Sequence, residues 1–147
     1  MKDAFGGMLN YIVILTFVII VTTFVLFGMK YYRAFSVKNK IISTIEAYEG
    51  NIDNPKLQQK ILDYIEQTHY NIGTQKIKKK CTEVRGQGWC YTYKAVKKDS
   101  EKSKGTCMYV YEVTAFVNVD LPFFSMFFNS NELFSVSGET KPIKRSC

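Results

Sequence analysis

The first fifty residues combine a long apolar stretch with a stretch in which apolar residues recur at a helical period. No charged residue occurs between Ala4 and Met29. About 20 such residues are needed to cross the hydrocarbon core of a bilayer. The pattern predicts a transmembrane helix over residues 9–30, preceded by a short flank over residues 1–8. Anchor residues are predicted throughout this helix: Leu9, Tyr11, Ile14, Val18, Val21 and Leu26.

The residues that follow the anchor predict an amphipathic helix. Apolar side chains recur every three or four positions from Ala34 to Tyr48, which is the period of a helix with one apolar face. No helix breaker occurs from Met29 to Gly50, and glycine suits a helix C-terminus. We therefore expect residues 31–49 to continue the transmembrane helix without interruption, and to need an apolar partner from the rest of the chain.

Residues 50–147 predict a small α+β domain. Asn54 and Pro55 are good N-terminal residues for a second, short helix. Beyond it, the stretches 89–96, 106–121 and 133–143 are rich in aromatic and β-branched residues and predict strands. The expected fold is a long N-terminal helix, transmembrane and then amphipathic, packed on a small antiparallel sheet with the second short helix alongside.

The four cysteines all lie in this domain: Cys81, Cys90, Cys107 and Cys147. They lack the C-x₂₋₄-C spacing of a zinc site, so we predict no metal and interpret them as two disulfides formed in an oxidising compartment. Four cysteines allow three pairings. The favoured pairing is Cys81–Cys90 with Cys107–Cys147, and Cys90–Cys107 across a hairpin is the rival; free thiols are the other alternative.

The order of elements resembles a known family. The alternating strand at 113–121, the proline-containing loop at 122–128 and the short strand at 133–140 are similar to those of the tight-adherence (Tad) pilus pseudopilins, the TadE-like family of the type IV pilin group. The resemblance implies a structural subunit that is stored in the membrane and then extracted into a filament. Its implied partners are the lipid bilayer, other pilin-like subunits and a membrane assembly platform.

The chain departs from that family at its N-terminus. Type IV prepilins are cut after a glycine and carry a glutamate five residues later. A cut between Gly7 and Met8 is the candidate processing site, but it would place Ile12 at that position. The resemblance therefore implies a minor pilin or pseudopilin rather than a major pilin.

Charge gives conflicting indications of orientation and partners. Cations follow the anchor at Lys30, Arg33, Lys38 and Lys40, a bias that would keep the domain in the cytoplasm. The cysteines favour the opposite side, and we expect a single-pass cell-membrane protein with an extracytoplasmic domain. The formal net charge of +7 is typical of a solvated surface; an envelope polyanion is the alternative interpretation, and binding of nucleic acid is disfavoured.

No catalytic motif is present in the sequence, and we predict neither enzyme activity nor a cofactor. A candidate interaction patch consists of large apolar side chains in the proline-containing loop: Phe123, Phe124, Met126, Phe127 and Phe128. Such residues either cover the sheet or form a protein contact. Three functions stay open: a filament subunit, an anchored protein whose basic outer domain binds an envelope polymer or partner protein, and a cytoplasmic scaffold with reduced cysteines.

Overall fold

The computed structural model describes residues 2–70, 82–83, 88–98, 106–117 and 134–146. These residues form two helices and one antiparallel sheet, which confirms the predicted α+β class. The elements are α1 (Lys2–Ala47), α2 (Pro55–Gln67), β1 (Thr82–Glu83), β2 (Trp89–Lys98), β3 (Thr106–Val117), β4 (Phe134–Glu139) and β5 (Ile143–Ser146).

Helix α1 is a single 46-residue helix. It begins at Lys2, seven residues before the predicted start at Leu9. At its other end the Gly50 N–H donates to the Ile45 carbonyl at 2.9 Å, which closes the last turn. Glu49 and Gly50 have φ angles of 51° and 74°, so the chain leaves the helix through two left-handed residues.

Helix α2 begins as the sequence predicts. The Asn54 side chain accepts a hydrogen bond from the backbone N–H of Lys56, and Pro55 is the first helical residue. One face of the helix is buried, through Leu57, Ile61 and Ile65. The chain then reaches Tyr70, whose hydroxyl accepts from the Phe116 N–H at 2.9 Å and lies 2.6 Å from the Gly88 carbonyl oxygen.

The described strands are arranged in the order β1-β2-β3-β4, and β5 also pairs with β3. β4 and β5 pair with successive parts of β3. β4 corresponds to the last predicted strand, and β5 is a further strand that was not predicted. Thr140 separates them: its Oγ1 accepts from the Tyr111 N–H at 3.0 Å, and its own N–H donates to the Tyr111 carbonyl at 2.9 Å. Pro142 then follows, and its missing N–H is consistent with an interruption of the strand.

The core lies between α1, α2 and one face of the sheet. Because side chains alternate across a strand, the odd-numbered residues of β2 up to Ala95, where the register shifts, share this face with the odd-numbered residues of β3. Its main members are fully or almost fully buried: Ala34, Val37, Ile41 and Ile45 from α1, Leu57 and Ile61 from α2, and Trp89, Val113, Ala115 and Val117 from the sheet.

The strand register excludes the rival disulfide Cys90–Cys107. Cys90 lies opposite Thr114, seven residues along β3 from Cys107. At about 3.3 Å per residue the two Cα atoms are about 23 Å apart, far beyond the roughly 7 Å that a disulfide tolerates. Cys90 and Cys107 lie at opposite ends of the pairing between β2 and β3, so the alternative disulfide Cys90–Cys107 is wrong.

Candidate functional site

The most exposed apolar surface among the described residues is the first half of α1. From Gly7 to Leu26 every residue is exposed except Thr23, which is half-buried. The predicted anchor residues lie here with 39–64% of their surface exposed: Leu9, Tyr11, Ile14, Val18, Val21 and Leu26. Within the described residues, the Gly7–Ala47 part of α1 is the one helix that is long and apolar enough to cross a membrane.

Three threonines interrupt this apolar surface without leaving a hydroxyl unpaired. Thr16, Thr22 and Thr23 each donate to the carbonyl four residues earlier, at 2.7–2.8 Å. The sequence predicts these bonds, because Ser and Thr in a helix can bond back to the preceding turn. A hydroxyl paired in this way costs little in hydrocarbon, so these three threonines leave the surface from Tyr11 to Leu26 compatible with lipid.

The second half of α1 is fixed to the domain. Its first ring contact with the sheet is at Phe27, whose ring centroid lies 5.8 Å from that of Phe134 in an edge-to-face arrangement. From Ala34 onward one face of the helix is buried in the core. The helix therefore passes from complete exposure to tertiary packing over about two turns.

Polar contacts hold this half of α1 on both sides. The Ser36 and Tyr64 hydroxyls lie 2.7 Å apart and join α1 to α2. Near the end of the helix, Glu46 Oε1 accepts from the Lys141 N–H at 2.8 Å and joins α1 to the segment after β4. Glu46 had the sequence pattern of a solvated helix face, and only the fold brings it to this N–H.

Lys38 is a buried lysine that the sequence does not reveal. Only 8% of its surface is exposed, and its Nζ lies 4.3 Å from the centroid of the Phe35 ring. This contact is a cation–π interaction, which partly offsets the loss of water. A Cβ added at Gly138 would lie 3.1 Å from the Lys38 side chain and 2.9 Å from Ile42 Cδ1, so the glycine allows α1 to approach β4 closely.

Other predicted site residues lie partly outside the described residues. Gly7 and Met8, the candidate processing site, lie in the exposed first turns of α1. Cys90 and Cys107 are buried, and neither is a free thiol. Outside the described residues fall Cys81, Cys147 and the whole candidate interaction patch, Phe123, Phe124, Met126, Phe127 and Phe128.

The described residues do not assemble a catalytic or metal-binding group. No cluster of three His, Cys, Asp or Glu side chains able to hold a metal occurs among them. His69 lies two residues beyond α2, with a φ of 50°. The strongest effect on a titratable group is at Tyr70, where burial raises the pKa above its usual range and the hydrogen bond with Phe116 opposes the shift only in part. Its hydroxyl has a structural role, since it joins α2 to β3.

In comparisons of the sequence with protein-family models, curated proteins and solved structures, no match was found.

Proposed function

We propose that the chain is a non-enzymatic, pilin-like structural subunit, a minor pilin or pseudopilin of a Tad-like or type IV filament, that α1 stores in the membrane. The observation that carries the proposal is the continuity of α1. One helix joins an exposed apolar half to a half buried against a sheet, with no break between Met29 and Val37. A force on either half is transmitted to the other, as extraction of a subunit from a membrane requires.

The length of the exposed half supports membrane storage. Gly7–Leu26 comprises 20 residues, which at 1.5 Å per residue span about 30 Å. This length equals the thickness of the hydrocarbon core of a typical bilayer. Lys30 and Arg33, with Tyr31 and Tyr32 between them, follow where an interfacial belt of cations and aromatic residues is expected.

The same surface suits a filament. Lipid tails are as apolar as Leu, Ile and Val side chains, so a helix of these residues gains little or nothing from the hydrophobic effect when neighbouring helices replace lipid. The preference for the bilayer or for the filament then depends on packing between subunits and on the threonine side chains. The subunit can therefore move from the bilayer to the filament without exposing apolar surface to water.

The cysteines support an extracytoplasmic domain, through the pairing that the chain permits. The register excludes Cys90–Cys107, and neither Cys90 nor Cys107 is a free thiol, which leaves Cys81 and Cys147 as their partners. We propose Cys81–Cys90, because it closes the shorter loop along the chain.

The second pairing follows from the first. Once Cys81 and Cys90 are paired, Cys107 and Cys147 are the two cysteines that remain. We therefore propose Cys107–Cys147 as the second disulfide. Two disulfides in a small domain indicate an oxidising compartment, which favours the outer side of the membrane despite the cations that follow the anchor.

The aromatic patch of the proline-containing loop is proposed as the contact with other subunits or with the assembly platform. Its two flanking described residues are Val117 and Phe134, which pair at the end of the sheet nearest the anchor. Phe134 also contacts Phe27, the first ring of α1 beyond the fully exposed half.

In-membrane cross-linking tests the filament function. Cysteine is introduced at Ile14 or Val21, both exposed on α1, and cells are oxidised with a membrane-permeable copper complex before electrophoresis under non-reducing conditions. The expected result is a ladder of oligomers. The matched control is Ala34→Cys, which lies on the same helix but is fully buried against the sheet and should give monomer only.

A monomer from both exposed positions would contradict the filament function and favour the second candidate, an anchored protein whose basic outer domain binds an envelope polyanion or partner. The net charge of +7 is the observation that favours this alternative. A reaction of impermeant thiol reagents with the native cysteines only after lysis, with no need of reductant, would contradict the extracytoplasmic orientation instead.

A further inference from the structure

A recess walled by tyrosines lies at the end of the sheet where α1 no longer covers it. Its volume is about 550 Å³, within the range of small-molecule sites. The helix ends at Ala47 and the chain turns away through Gly50. The residues around this tyrosine recess are Gly50, Ile52, Asp53, Tyr91, Tyr93, Tyr109, Tyr111 and Arg145.

The register of β2 and β3 brings the four tyrosines together. Tyr93 lies directly opposite Tyr111, and Tyr91 and Tyr109 lie two residues from this pair on the same face. The Tyr93 ring centroid is 6.1 Å from those of both Tyr109 and Tyr111, with interplanar angles of 71° and 44°. Because the rings are tilted and Tyr93 is 62% exposed, ring surface stays open to a ligand.

One basic and one acidic side chain complete the recess. Arg145 Nη1 donates to the Tyr111 hydroxyl at 3.2 Å and to the Gly50 carbonyl at 3.4 Å, so the guanidinium is held at the wall. The Asp53 carboxylate is exposed and close enough to Tyr91 that its charge adds to the effect of burial in raising the pKa of that phenol. Arginine can only donate hydrogen bonds, and an ionised aspartate can only accept them.

This combination selects a class of ligand. A quaternary ammonium would suit the aromatic rings but would be repelled by Arg145, and a phosphate would suit Arg145 but would be repelled by Asp53 and by the negative ring faces. A neutral molecule that has hydroxyl groups and one face of C–H groups complements the tyrosine rings, Arg145 and Asp53 together. The C–H face would stack on a phenol ring, and the hydroxyls would reach Arg145 and Asp53.

We propose that the tyrosine recess binds a neutral saccharide unit of a glycan, with Tyr93 as the stacking ring and Asp53 and Arg145 as hydrogen-bonding partners. The site does not depend on filament formation, since all its residues belong to the domain. It would allow the outer domain to contact the carbohydrate of a cell envelope.

The test uses the full chain in nanodiscs of phosphatidylglycerol and phosphatidylethanolamine, which contain neither sugar nor choline. Three neutral oligosaccharides, built from glucose, mannose and N-acetylglucosamine, are titrated by calorimetry, and choline chloride and inorganic phosphate are titrated separately. At least one oligosaccharide should bind. Tyr93→Ala should weaken that binding about tenfold, since it removes a stacking ring worth about one order of magnitude in Kd.

The control variant is Lys94→Ala, on the same strand but on the opposite face, which disturbs only a solvent-exposed contact with Glu112 at 3.7 Å. It should leave the Kd unchanged, while Asp53→Asn should weaken binding several-fold. Unaltered thermal unfolding of each variant establishes that the domain is intact. The proposal is overturned if no oligosaccharide binds, if choline or phosphate binds in its place, or if Tyr93→Ala binds as tightly as the native chain.

Discussion

The two halves of α1 contain the same kinds of apolar residue in opposite surroundings. Ile14, in the first half, is 55% exposed, whereas Ile41 and Ile45, in the second, are 1% and 0% exposed. Nothing in the chemistry of isoleucine distinguishes them. The difference lies in their neighbours, because the first half is apolar all round and the second has polar residues on its outer face.

This contrast shows what each half requires from its surroundings. An amphipathic helix needs one apolar partner, and the sheet supplies it through Val113, Ala115 and Val117. A helix that is apolar on every side needs an apolar environment on every side, which a small domain cannot provide. Among the described residues, the first half of α1 is uncovered.

Ile41→Ala, in the buried half of α1, should have the largest effect on the stability of the domain. It removes a fully buried side chain and leaves a cavity, so we expect the free energy of unfolding of the domain to fall by about 4 kcal/mol. Urea denaturation of the chain in detergent, followed by Trp89 fluorescence, measures it. The matched variant Ile14→Ala should leave domain stability unchanged; equal losses for the two would show that the exposed half is also packed on the domain.

Val18→Arg tests the first half of α1 as a membrane segment. A charged side chain at the centre of a spanning helix costs about 3 kcal/mol in insertion, so the membrane-integrated fraction should fall sharply. Extraction of membranes with alkaline carbonate measures this fraction. The control is Asn39→Arg, at an exposed position on the second half, which should remain integrated. Full integration of Val18→Arg would argue against a transmembrane role for this half.

Much of the fold could be predicted because local patterns agree with tertiary packing. Asn54 and Pro55 specify the start of α2, and the alternation along 109–117 specifies β3. The break between β4 and β5 could not be predicted in this way. It depends on Thr140, whose hydroxyl and N–H both pair with Tyr111 across the sheet, and no local pattern contains that partner.

The candidate sites likewise differ in whether the sequence alone reveals them. The long apolar helix that could cross a membrane is a property of composition, so the sequence alone predicts it. The tyrosine recess needs the register that places Tyr93 opposite Tyr111, together with the end of α1 near Gly50. One signal was available: Tyr91, Tyr93, Tyr109 and Tyr111 are all odd-numbered, so two paired strands in this register place them on one face. The burial of Lys38 had no such signal.

Gly50→Ala, just beyond the end of α1, should lower the stability of the domain by a smaller amount. The glycine has a φ of 74°, and an added Cβ would lie 2.8 Å from Tyr111 Cε2. Left-handed strain and displacement of the ring together should lower domain stability by about 2 kcal/mol. Thermal unfolding measures the loss. Gly28→Ala provides the comparison, since its Cβ would meet no atom within 4 Å; destabilisation there as large as at Gly50 would refute the steric explanation.

Tyr70→Phe should have the smallest effect at neutral pH, a loss of about 1–2 kcal/mol, because the hydroxyl bonded to Phe116 and Gly88 is removed. The effect should become smaller at alkaline pH. Burial raises the pKa of Tyr70 above its unfolded value of 10.0, so the folded state holds its proton where the unfolded state has lost it. That contribution to stability is fully present below pH 10 and declines above it, by up to about 1.4 kcal/mol per pH unit.

Denaturation curves of the native chain and of Tyr70→Phe from pH 8 to pH 11 measure this dependence. The two proteins differ only at Tyr70, so the difference between the two curves isolates this residue. The native chain should lose stability more steeply above pH 10, and the gap between the proteins should narrow. Tyr93→Phe is the control, because Tyr93 is largely exposed and its substitution should alter neither stability nor slope. Parallel curves for the native chain and Tyr70→Phe would mean that the Tyr70 proton is not held by the fold, and that the junction between α2 and β3 depends on packing alone.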